Sequence, residues 1–212
     1  MIQEFWKASE PVYQNIINHP FNKELAKGTL DENKFRFYLS QDAIYIGEYS
    51  RALAALASKA PTHELVMEYI AFAKEGLEIE RELHDHFMKI FQVEKANESA
   101  LSTESYANFL LSNVAFRSYE EGLAALLPCF WIYNEVALHI YQSAHKENKF
   151  QKWIDTYSSA EFDETTERLK EITNQLAKEA KPGIRKSMKQ LFVRSAQYEW
   201  FFWDSAYQLK FW

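Results

Sequence analysis

Three side chains carry the chemistry this sequence offers: the thiol of Cys129 and the carboxyls of Asp42 and Glu199. Cys129 is the chain's one cysteine and follows Pro128 inside the apolar run LAALLPCFWIY, residues 123–133. A thiolate there would be a nucleophile, but a buried cysteine also serves as a small hydrophobe. Asp42 falls at helical spacing on a face with Phe35, Tyr38, Tyr45, Ile46, Tyr49, Leu53 and Leu56. Glu199 interrupts the face Met188, Phe192, Ser195, Phe202, Trp203, Ala206 in the same way. An apolar setting disfavours the ionised carboxyl, raises its pKa and makes it a candidate acid or base. Either carboxyl could equally bond a tyrosine, an arginine or a helix end and simply hold helices together.

Metal chemistry is a weaker reading. Glu80 with His84, and Glu82 with His86, are four apart and could each share a helix face. A di-iron bundle uses Glu-x-x-His on two helices, and neither pair has that spacing. A solvated charged face accounts for them, so no metal is expected. His19 could in principle ligate haem, but a lone histidine is a poor signal. No glycine-rich phosphate loop is present.

The elements that must position these groups are all helical. Amphipathic spacing predicts a helix over residues 2–17, stopped at Asn18-His19-Pro20, then a short helical turn before Gly28. Longer helices are expected over 31–59 and 63–91, with a polar linker over 92–102 and a helix carrying Tyr106 over 103–116. Ser118 and Glu121 form a capping box for the helix of Cys129, which should run to about His145. Pro128 inside it costs roughly 3 kcal/mol and distorts the helix locally. A short helix over 150–157, one started by Ser158 with Glu161 and running to about 179, and a last one over 182–209 complete the chain. The expected architecture is an all-α single helical bundle of about eight helices, forming one domain over 1–212.

Composition agrees with that reading. Hydrophobic residues make up 47% of 212 and aromatics 16%, enough for a core and an aromatic pocket, while 5 Gly and 5 Pro leave little punctuation for strands. A net charge of -6 without a Lys/Arg run argues against a nucleic-acid partner. The apolar run around Cys129 is too short for a bilayer and is broken by Asn134, Glu135 and His139, so no membrane span is expected. One cysteine and a start without an apolar leader point to a reducing, cytoplasmic setting.

ALLPCFWIYNEVA around Cys129, SQDAIY around Asp42 and SAQYEWFFWDSAY around Glu199 resemble the three signature segments of the TenA family, also called thiaminase II. NHPF near His19, GTL at Gly28 and KWIDTYSS at 152–159 extend the resemblance over nearly the whole chain.

The resemblance implies a heme-oxygenase-like fold, a homotetramer, and hydrolysis of the C–N bond joining an aminopyrimidine methylene to its leaving group. The substrate would be thiamin or its 5-aminomethylpyrimidine breakdown product, and 4-amino-5-hydroxymethyl-2-methylpyrimidine would be released. It assigns Cys129 as nucleophile, Glu199 as acid/base and Asp42 as the holder of the pyrimidine's amino edge. Tyr45, Tyr106, Tyr133, Tyr157 and Phe202 become the aromatic lining, and no cofactor is required. Some relatives lack the cysteine, whereas this chain keeps it. Cys129 lies too far inside its helix for the dipole to activate it, so a tyrosine hydroxyl such as Tyr106 is expected to support the thiolate. A non-catalytic pyrimidine-binding protein and a metal- or haem-dependent oxidase are the alternatives.

Overall fold

The computed structural model describes residues 1–93, 96–144 and 147–212. Among these are nine helices and no strand: α1 (Ile2–Ile17), α2 (Pro20–Ala26), α3 (Glu32–Ala57), α4 (His63–Phe91), α5 (Leu101–Phe116), α6 (Tyr119–Tyr141), α7 (Gln151–Tyr157), α8 (Ala160–Glu179) and α9 (Pro182–Tyr207). The count exceeds the expected eight because the short turn before Gly28 is a helix in its own right. His19 caps it by accepting from the Phe21 N–H at 3.2 Å, and Pro20 supplies a preset first residue.

α6 is the axis of the bundle, touching α1, α2, α3, α5, α7, α8 and α9. Its capping box is formed as the sequence requires. Ser118 Oγ accepts from the Glu121 N–H at 3.4 Å and Glu121 Oε2 from the Ser118 N–H at 3.1 Å. The helix continues through Pro128, and nearby the Tyr49 hydroxyl donates to the Leu126 carbonyl at 2.9 Å. By length and composition α6 alone among the described helices would suit a membrane, but 83% of its apolar window is buried inside the protein. It ends at Tyr141, short of the expected 145, a position that lies outside the described residues, as do 94 and 95 of the linker.

The start of α8 differs by one residue from its expected place. Ser159 is the cap, accepting from the Phe162 N–H at 3.2 Å, while Ser158 ends α7 and donates to the Ile154 carbonyl at 2.7 Å. Adjacent serines offer the same side chain, and only the path of the chain chooses between them. The two faces that matter are as their spacing requires. Every named member of the α9 face is buried, as is every member of the α3 face except the half-buried Ile46.

Candidate active site

Asp42 sits in the middle of α3, one turn before Tyr45 and two before Tyr49, so burial of this face carries all three inward. The residue before it anchors the neighbouring helix. Gln41 Oε1 accepts from the Ala100 N–H at 2.7 Å and from Thr103 Oγ1 at 3.0 Å, which ties the start of α5 to α3. With α5 fixed, Tyr106 reaches α9. Its hydroxyl donates to Glu199 Oε1 at 2.7 Å and accepts from Ser195 Oγ at 2.8 Å. Ser195 lies one turn before Glu199, so a single face of α9 supplies both ends of this relay.

Burial dominates the electrostatics. Glu199 is 1% exposed, and loss of hydration lifts its carboxyl to about 8, with the Tyr106 bond pulling the other way. Asp42 is pushed up by burial first, then by the negative charges of Glu80 and Glu199. One of its carboxyl oxygens, Oδ1, is buried without a hydrogen-bond partner. Such an atom is costly to bury and is free to accept a hydrogen bond from a ligand. Burial likewise raises the Cys129 thiol, as do Glu199 and Asp42. The Tyr45 hydroxyl opposes them beside the sulfur, though in a geometry too loose for a formed hydrogen bond. Of the tyrosines that could support the thiolate, Tyr106 is held by Glu199 and Ser195, and it is the Tyr45 hydroxyl that pulls the thiol downwards.

Aromatic rings close around these groups. Tyr45 stacks on Tyr106 with centroids 4.8 Å apart and lies 5.8 Å from Phe202. Tyr133 stacks on Trp203 at 4.9 Å and meets Tyr157 at 5.0 Å. All eight sequence-nominated residues are therefore buried within one neighbourhood, supplied by α3, α5, α6, α7 and α9. Sequence reasoning missed the network that fixes Tyr133. Trp153 Nε1 donates to the Tyr38 hydroxyl at 3.0 Å, which donates to the Tyr133 hydroxyl at 3.2 Å. Tyr38 stood on the nominated α3 face, so its inward direction was legible, although its partners were not.

A cavity opens on the far side of Cys129. It is small, about 30 Å³, and is lined by Cys129, Tyr133 and Tyr157 together with Ile46, Tyr49, Phe72, Gly76, Ile79, Phe130 and Phe162. Helices α4 and α8 enter the site only here, and no chemical motif marked them. Neither carboxyl of the Asp42–Glu199 pair lines this space.

The metal and haem candidates resolve differently. Among the described residues no group of three or more His, Cys, Asp or Glu is arranged to hold a metal ion. Glu82 pairs with Lys152 at 3.5 Å. His84 is not on a solvated face as expected. It is buried, with both ring nitrogens unpartnered, because α4 turns that side towards the core. His19 is occupied as the α2 cap, with its other ring nitrogen 3.3 Å from Asp204.

Comparisons with known proteins bear on the family and the fold. The model of the TENA/THI-4/PQQC family matches residues 6–209. The chain is similar to an aminopyrimidine aminohydrolase of Helicobacter pylori, at 29% identity over 97% of this chain and 98% of the relative. It is also similar to the thiamine biosynthesis multifunctional protein ThiED of Corynebacterium glutamicum, at 33% identity over 95% of the chain, and spans only 26% of that relative's length. Among solved structures, a TenA homologue from P. horikoshii superposes with TM-score 0.87 at 28% identity, covering 97% of each chain. A Shewanella denitrificans domain with a heme oxygenase-like fold gives 0.75 at 13% identity over 99% of this chain and 93% of its own, which bears on the fold alone.

Proposed function

The chain belongs to the TENA/THI-4/PQQC family, and from that premise we propose that it is an aminopyrimidine aminohydrolase of the thiaminase II type. Its reaction would release 4-amino-5-hydroxymethyl-2-methylpyrimidine from thiamin or from the 5-aminomethylpyrimidine. The observation that carries this reading is the convergence of a buried thiol, a carboxyl raised to about 8 and an unpartnered carboxyl oxygen within one cluster of aromatic rings. The two buried carboxyls are costly alone, and a protonatable ring bearing an amino group satisfies both together beside the thiol.

The proposed mechanism follows from the protonation states. At neutral pH Glu199 holds a proton and Cys129 is a thiol, so neither of these two groups carries a buried charge before substrate arrives. Glu199 gives its proton to the ring nitrogen and makes the ring an electrophile. The thiol adds to the ring carbon, and its proton returns to the Glu199 carboxylate. The adduct's electrons then break the exocyclic C–N bond, leaving the pair on the departing nitrogen, while the ring N–H proton passes to the departing amine or, with thiamin, to water. Water adds to the resulting methylene carbon, its proton passing back to the ring nitrogen. Expulsion of the sulfur, which regains its proton, restores the aromatic ring. The Ser195–Tyr106–Glu199 relay holds the acid in place, and Asp42 accepts from the 4-amino group to set the ring's orientation.

Incubation with thiamin and with the aminomethylpyrimidine, followed by chromatographic detection of the hydroxymethylpyrimidine, tests the proposal. Release of that product from neither compound sinks it. The implied homotetramer is supported by an exposed apolar row on α4, Met67, Ile70 and Leu77. Analytical ultracentrifugation measures it directly, and a monomer at micromolar concentration removes it.

A further inference from the structure

We propose that the groove along the outer face of α9 binds a phosphate monoester joined to a flat ring, a ligand of nucleotide size. This inference does not depend on the hydrolase reading, and none of the residues of that site lines the groove. Ala8 of α1 and Phe109 and Arg117 of α5 line it together with α9, around a space of about 590 Å³. That volume falls in the range of pockets that take a small molecule. Arg117, Lys189 and Arg194 line the groove and no aspartate or glutamate does, although the chain as a whole carries a net charge of -6. Arg117 is partly neutralised by Glu121, with Nη1 3.2 Å from Oε1. The side chains of Lys189 and Arg194 have no ion pair or hydrogen-bond partner among the described residues. Five residues apart on α9, these two are separated by a rise of about 7.5 Å, so their long side chains can close on one phosphate from both sides. A dianion between them relieves their mutual repulsion and takes charge-assisted hydrogen bonds from each.

The same lining suits a ring beside the phosphate. Phe109 and Leu191 give apolar surface next to the cations. Phe109 is held in place, because its ring lies 5.0 Å from that of Tyr198, which stacks on Tyr106 at 5.3 Å with the planes 6° apart. Tyr106 is fixed in turn by Glu199 and Ser195. A flat ring that settles on an aromatic already ordered in this way avoids the entropy of immobilising it. The exposed amides of Gln190 and Gln197 can each donate to and accept from the ring's polar edge. A bare phosphate would use the cations and leave the apolar part of the groove idle.

Titration calorimetry of the full chain at low ionic strength tests the proposal, with AMP, inorganic phosphate and adenosine as probes. AMP is expected to give saturable heat and to bind about tenfold or more tighter than either of the other two, since each lacks one half of the contacts. Lys189→Gln and Arg194→Gln should each weaken AMP about tenfold, by loss of one charge-assisted contact, and the double variant should weaken it further with circular dichroism unchanged. Absence of saturable AMP binding at millimolar concentration overturns the proposal, as does AMP affinity that is unaltered in the double variant. Inorganic phosphate binding as tightly as AMP would mean that no ring is read, and also overturns it. Two other occupants have their own signatures. Poly-glutamate binding more tightly than AMP, and lost in the double variant, would assign the groove to an acidic protein segment instead. A double variant that sediments as a smaller species than the parent would make the groove an interface between copies of the chain, which refutes the small-ligand site.

Discussion

The two sides of Cys129 are built on opposite principles. Towards α3, α5 and α9 the site is filled, polar and electrostatically expensive. Glu199 is lifted to about 8, an Asp42 oxygen has no partner, and Tyr106 joins Ser195 to the acid. Towards α4 and α8 it is apolar and undemanding, with a small cavity and a glycine whose Cβ would make only ordinary contacts. The contrast teaches which half of a substrate each wall can discriminate. A wall of fixed donors and acceptors rejects anything lacking the matching polar edge, whereas an apolar space distinguishes only by size and charge.

The thiol at the boundary gives the largest expected effect. Cys129→Ser should lower kcat on the order of 10⁴-fold, as loss of a nucleophile does, while circular dichroism stays helical. Parental turnover in this variant would eliminate covalent catalysis by the residue.

On the polar side, Glu199→Gln is expected to cost about 10²- to 10⁴-fold in kcat/KM, since the amide cannot deliver a proton. In the parent, activity should fall as pH rises through about 8, where Glu199 gives up its proton. Stability carries the same sign. Between about 4.5 and 8 the folded state holds a proton that the unfolded state has released, so this residue makes folding less favourable as pH rises. The melting-temperature advantage of Glu199→Gln over the parent should thus be small near pH 5 and grow towards pH 8. An advantage that is flat across that window contradicts the raised pKa.

Asp42→Asn keeps the volume and removes the charge. A loss of about 10- to 150-fold in kcat/KM is expected, from a charge-assisted bond of about 1.5–3 kcal/mol. Melting temperature should hold or rise, because a buried carboxyl next to Glu80 and Glu199 has been neutralised. A clear fall in melting temperature with efficiency intact would move Asp42 from the site to the scaffold.

Tyr106→Phe makes a finer distinction. The hydroxyl's bond holds the Glu199 pKa down, so its removal should carry the alkaline limb of the pH profile upwards. The accompanying loss of kcat/KM should be about tenfold, for one neutral-to-charged hydrogen bond of about 1.5 kcal/mol. An unmoved limb would mean that the relay does not tune the acid. The smallest expected effect lies outside both walls. Ser118→Ala breaks the α6 capping box and should cost about 1 kcal/mol of stability in denaturant titration, with kcat/KM unchanged at permissive temperature. An altered kcat/KM would show that α6 transmits its end to Cys129.

Much of this molecule was legible from local pattern. Hydrophobic periodicity is a property of neighbouring residues, so the helices and the inward faces of Asp42 and Glu199 followed without tertiary information. The Ser118–Glu121 cap was equally local, while the choice between Ser158 and Ser159 was not. His84 reads as solvated because its sequence neighbours are charged, yet it is buried, since that side of α4 is covered by the rest of the fold.

The division follows from the range of the forces. Sequence by itself determined the all-α architecture, the α6 core helix and the unusual placement of Asp42, Cys129 and Glu199, because spacing and residue type encode what one helix presents to its surroundings, whereas the aromatic lining was nominated by the family resemblance. Which tyrosine faces the sulfur, how Trp153 and Tyr38 fix Tyr133, and how α4 and α8 leave space beside Cys129 were decided by the tertiary structure. These are relations between helices far apart in the chain. Their hydrogen bonds and voids arise only when packing brings the surfaces together, and no local pattern records them.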